Sequence, residues 1–71
     1  MPSIKKKFGE KVRSLRTQRG WTQEVLAHKA GKHWTYIGGI ERGTRNPTIT
    51  VASDIARALN VKLEDLFEGL N

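Results

Sequence analysis

Residues 31–43, GKHWTYIGGIERG, set the bulky Trp34 and Tyr36 within a few positions of two adjacent glycines, Gly38 and Gly39, and close on Glu41, Arg42 and Gly43. No nucleophile paired with a base, no paired carboxylates and no phosphate loop stand here or elsewhere in the chain, so an enzyme is not expected. His28 and His33 have no cysteine or carboxylate companions, so neither a metal nor another cofactor is expected. What remains is recognition chemistry. Thr35 offers a hydroxyl and a methyl, the aromatic rings offer apolar faces, and basic residues lie close on either side. Whether the stretch is a loop, or a helix that tolerates two poor helix formers, depends on what surrounds it.

Charge narrows the class of ligand. Residues 1–20 hold seven basic residues against one acid, whereas residues 48–71 hold two against four, within a net charge of +6. A basic front and an acidic rear suggest a polyanion on one side and a different contact on the other. A chain of 71 residues builds one small domain with a single core, and 37 % hydrophobic with 28 % charged residues suits a folded chain. No run reaches the roughly 18 apolar residues of a membrane span, and the amino terminus lacks the apolar segment of a signal peptide, so no membrane partner and a cytoplasmic location are expected. Without cysteine, the fold must stand on packing, helped by self-association.

The elements follow from spacing. Ile4, Phe8, Val12 and Leu15 form an amphipathic stripe over about 4–18, with Ser3 as cap and Gly20 as stop. Thr22 caps a second helix, about 22–30, with Leu26, Ala27 and Ala30 inward and Gly31 ending it. After Asn46 and Pro47, Thr48 caps a helix at about 49–59 carrying Ile49, Ala52, Ile55, Ala56 and Leu59, and Asn60 suits its left-handed end. Leu63, Leu66, Phe67 and Leu70 form a last helix at about 63–69, with Glu64 and Asp65 near its positive end. Trp21 is expected to cover the first two helices. The chain reads as all α.

Between the second of these helices and the 49–59 helix, a helix over 33–41 would bury Ile37 and Ile40, and neighbouring helices would have to offset a cost of roughly 1 kcal/mol for each interior glycine. A helix, a short turn containing glycine and a second helix make a helix-turn-helix, with Ala27 at the close crossing and Gly31 in the turn. In that arrangement the residues around Trp34 and Thr35 face base edges, and Gln23 with its neighbouring N–H groups suits a phosphate.

The segments LRTQRGWTQEVLAHKAG, YIGGIERGTRNP and IARALNVKLEDLF resemble the Cro- and phage-repressor-type (Xre) helix-turn-helix family, and within it the controller proteins of restriction-modification systems. The resemblance runs from about Phe8 to Phe67. It implies a five-helix repressor-like domain over residues 1–71 that binds a double-stranded operator as a homodimer, with the dimerisation surface in about 55–71. It places Trp34, Thr35, Gly38 and Gly39 at bases, Tyr36 at base edges or the backbone, and Gln23, Arg45 and Asn46 at phosphates, where Thr22, Lys32 and His33 are expected beside them. It pairs Arg16 with Glu41, assigns the dimer contact to Leu63, Leu66, Phe67 and Leu70, and leaves no small-molecule ligand. The glycines would thin the outer face where a groove comes close.

Some positions depart from the family's pattern. Trp34 stands where an arginine is usual, and an indole could stack on thymine methyls or pack on the sugar-phosphate edge. Lys32 and His33 replace the usual apolar residue and N-cap, so this helix is expected to fray at its start without DNA. Lys62 stands where a capping serine or threonine is common. The expected function is a sequence-specific transcriptional regulator on a near-palindromic operator, as a controller protein. The alternatives are the antitoxin of a toxin-antitoxin pair and a phage-type repressor.

Overall fold

The computed structural model describes residues 3–70. Five helices follow one another: α1 (Ile4–Gln18), α2 (Gln23–Ala30), α3 (Trp34–Arg42), α4 (Ile49–Leu59) and α5 (Leu63–Leu66). Three begin on side-chain caps that the sequence announces: Ser3, Thr22 and Thr48 each accept a hydrogen bond from the N–H three residues on. The α2–α3 turn is made by Gly31 at φ +68°, in the left-handed region. There the Lys32 N–H reaches back to the Ala27 carbonyl at 2.9 Å and closes the helix end. Asn60 ends α4 in the same way at φ 58°.

The core is one cluster built on Phe8, Val12, Leu26, Ile37, Ile40, Ile55, Leu59 and Leu66, with Ala27, Ala52 and Ala56 where helices run close. Helix α3 packs against both α1 and α2, α2 also packs on α4, and α5 closes over α4 and α1. Gly9 sets the α1–α3 crossing. A Cβ there would lie 2.7 Å from the Glu41 carbonyl oxygen and would collide with that of Ile40, so only glycine lets the two backbones approach this closely. Trp21 lies half-buried against the core, with the Lys29 ammonium 4.8 Å from its ring centroid.

The structure departs from the expected stripes in three places. Ile4 and Ile49, expected on inward faces, are 64 % and 79 % exposed. Each is the first residue of its helix, where periodicity continues the stripe but the neighbouring helix no longer covers it. The last helix stops at Leu66 rather than running to residue 69, because Phe67 departs from helical geometry and Gly69 turns at φ +77°. Its start needs no serine or threonine. Asp65 Oδ2 accepts from the Lys62 backbone N–H at 3.0 Å, so the acid reaches back to the donor at the helix start.

Candidate nucleic-acid interface

The amino-terminal end of α3 projects from the core. Its cap is His33, whose Nδ1 accepts from the Thr35 backbone N–H at 3.2 Å and pairs with the Thr35 hydroxyl at 2.7 Å. This helix start, expected to fray, is therefore capped in the free chain by the residue that seemed to leave it open. The imidazole also stacks on the indole of Trp34, with centroids 5.9 Å apart and planes at 27°. Trp34 itself is 49 % exposed. Lys32, just before the cap, forms a salt bridge from its Nζ to Asp54 Oδ2 at 3.1 Å, which ties the turn to α4.

The middle of α3 is covered rather than thinned. Gly38 and Gly39 are buried, and the space their side chains would fill is taken by others. A Cβ on Gly38 would lie 3.1 Å from an Arg42 guanidinium nitrogen and 3.2 Å from the Gln23 amide oxygen, and one on Gly39 would lie 2.8 Å from Arg45 Cγ. The expectation of an open glycine face is corrected accordingly: long polar side chains from α2, the end of α3 and the following loop lie across it. Arg45 also holds its guanidinium 5.2 Å from the ring centroid of the half-buried Tyr36.

The carboxyl-terminal end of α3 is anchored inside. Arg16 grips Glu41 with two hydrogen bonds, Nε to Oε2 at 2.7 Å and Nη2 to Oε1 at 3.0 Å. The Glu41 side chain is only 3 % exposed and that of Arg16 11 %. Arg16 Nη1 donates to the Trp21 carbonyl at 2.7 Å, and Gln23 Nε2 donates to Glu41 Oε1 at 3.1 Å. The hydrogen bond to Glu41 raises the Arg16 pKa above its ordinary value, so the guanidinium keeps its charge well into the alkaline range. The contribution of the Arg16 shift is fully present below the ordinary arginine pKa and is lost as pH rises through the raised one.

The other expected site residues do not all share one surface. Gln23, Tyr36, Gly38, Gly39 and Arg45 meet on one surface, with Arg42 as a member that sequence reasoning missed although it lies in the same short stretch. Thr22 and Thr35 stay exposed, each with its hydroxyl oxygen already in a hydrogen bond. Asn46 faces elsewhere, at an apolar groove lined also by Ile4, Phe8, Pro47, Ile49 and Phe67. Of the four residues expected at a dimer contact, Leu66 is fully buried within its own protomer and Leu70 is 8 % exposed. Leu63 is half-buried, and Phe67, at 45 % exposure, packs on Phe8 in a tilted pair with centroids 5.3 Å apart. While Val25 and Trp34 are exposed elsewhere, the exposed apolar side chains around that groove are Ile4, Ile49 and Phe67. Helical spacing alone could not separate these from core residues, because all sit on inward-reading stripes.

Known proteins share this fold. A helix-turn-helix family model, HTH_3, matches residues 12–66. The control protein C.BamHI of Bacillus amyloliquefaciens is 42 % identical over 67 residues, covering 93 % of this chain and 83 % of that protein. The crystal structure of the restriction-modification controller protein C.AhdI from Aeromonas hydrophila superposes with a TM-score of 0.87 at 41 % identity, over 89 % of this chain and 96 % of that one. The controller protein C.Esp1396I, seen as a tetramer in complex with its natural 35 base-pair operator, gives a TM-score of 0.87 at 37 % identity over 99 % of this chain and 92 % of that one. A glycine-turned helix pair, an anchored α3 and these relatives lead to one conclusion: the chain belongs to the helix-turn-helix family and is a transcriptional regulator close to the restriction-modification controller proteins.

Proposed function

We propose that the protein is a restriction-modification controller that works in the cytoplasm as a homodimer on a near-palindromic operator, with half-sites roughly 34 Å apart. The observation that carries the DNA contact is the posture of α3. Its carboxyl end is bolted to α1 through Arg16 and Glu41, while its amino end stands exposed and capped, which is how a helix is offered to a major groove. Trp34, Thr35 and Tyr36 face the bases. The N-terminal N–H groups of α2, with Thr22 and Gln23, and the side chains of Lys32, His33 and Arg45 face phosphates. Gly38 and Gly39 enter only through the side chains above them, so Arg42, Arg45 and Gln23 present the middle of the helix to DNA.

Self-association uses the exposed apolar patch of Ile4, Ile49 and Phe67 around the groove, which Leu70 also lines, together with the half-buried Leu63, while Leu66 lies in the core. So small a core leaves a domain of this size with little stability to spare, and covering those three side chains adds to it. Support for the controller subtype is the likeness to C.BamHI and to the operator-bound C.Esp1396I. A methyltransferase and an endonuclease frame beside the gene would support it further, and a toxin frame in their place would favour an antitoxin. The binding test is a salt titration of affinity for selected DNA. A slope corresponding to roughly 6–10 released counterions per dimer is expected, and a flat response would overturn the basic-face reading.

A further inference from the structure

The exposed tip of α3 is poor in free hydrogen-bonding groups. The Thr35 hydroxyl is paired with His33 Nδ1 at 2.7 Å, and Lys32 is held by Asp54 at 3.1 Å. The next outward positions are glycines beneath arginine and glutamine side chains. What the tip does present is a plate. The Trp34 indole is 49 % exposed and is braced by the His33 imidazole, and that imidazole is itself oriented by its hydrogen bonds to Thr35. A braced aromatic ring has little rotamer freedom left to lose on binding, so it meets its target preorganised.

In the major groove the base edges show donors and acceptors, and one apolar feature, the C5-methyl of thymine. An indole carries a single donor and no charge, so it cannot grip guanine or adenine in the two-point fashion of arginine or asparagine. A methyl group suits it. Resting on the assignment of α3 as the recognition helix, we infer that Trp34, positioned by His33, reads the C5-methyl group of one pyrimidine in each half-site. 5-Methylcytosine carries the same methyl at the same place. At that position the protein therefore discriminates on the methyl, and a methylated cytosine binds better than a plain one.

The test begins with the full-length protein and a binding site selected from randomised duplexes. Each thymine of the selected site is replaced singly by deoxyuridine, which removes the methyl and keeps every hydrogen-bonding group. One thymine per half-site is expected at which this weakens binding by about fourfold, the value of one buried methyl. At that position cytosine against 5-methylcytosine should show a step of the same size. Both steps should vanish in Trp34→Ala, with its helicity and melting checked as controls, and shrink in His33→Ala. A uracil penalty that survives unchanged in Trp34→Ala would overturn the inference, as would a site in which no thymine responds. Enrichment of no sequence at all would instead overturn the recognition-helix assignment beneath it.

Discussion

The two ends of α3 invert the usual distribution of polarity. At its carboxyl end a carboxylate is buried and paired, while at its amino end a tryptophan stands in solvent. The buried pair contributes less as net energy than as geometry. An ion pair inside a protein roughly breaks even against apolar residues of the same shape, but losing one partner strands a charge. Glu41 accepts from both Arg16 and Gln23, so it joins α1, α2 and α3 at one point and sets the angle at which α3 leaves the core. The exposed end is held only by its own cap at His33 and by the Lys32–Asp54 pair beside it. It spends its side chains outward, and that contrast marks the boundary between scaffold and reader.

The contrast can be broken most severely at the anchored end. Glu41→Ala should cost about 3–5 kcal/mol, most of the stability of a domain this small, and thermal denaturation should show it, while Arg16→Met with Glu41→Leu should recover much of the loss. A comparable effect is expected for Leu66→Lys, which buries a charge at a fully enclosed position and should unfold the chain rather than split a dimer. Its counterpart Ile49→Lys, at a site 79 % exposed, should keep the fold and give monomers in sedimentation; a dimer unchanged by it would place the interface elsewhere.

At the outward end the effects fall on DNA. Trp34→Ala should lower affinity for the selected site by about tenfold with little change on random DNA, whereas Arg45→Ala should weaken both alike and reduce the salt slope by about one. Equal losses on both DNAs for both variants would erase the division between base and phosphate contacts. The smallest effect is expected for the stability of His33→Ala, about 0.5–1 kcal/mol for a lost cap, measured by thermal melting. No change at all would mean that the cap contributes nothing in solution.

How far the chain could be read in advance differs between these regions. The helices, the glycine turn and the caps at Ser3, Thr22 and Thr48 were legible because each depends on residues within one helical turn of another. The Arg16–Glu41 pair followed only from the family resemblance, since the two are 25 residues apart and no local pattern joins them. The cap at His33 was misjudged because histidine is an uncommon capping residue, and its fitness rests on a ring nitrogen oriented toward the Thr35 N–H. The covered glycines were missed for a different reason. Arg45 lies beyond the helix end, and its path back across Gly39 belongs to the loop rather than to any periodicity.

By itself, then, the amino-acid sequence determined an all-helical chain with a helix-turn-helix at its centre, because periodicity, capping and turn chemistry act over a few residues. Only the tertiary structure decided which inward-reading side chains are enclosed. Leu66 is sealed inside while Ile4 and Ile49, on equally good stripes, are left outside. A stripe defines the face of a helix, but burial depends on whether another element reaches that face, and that is settled by packing between residues far apart in the chain.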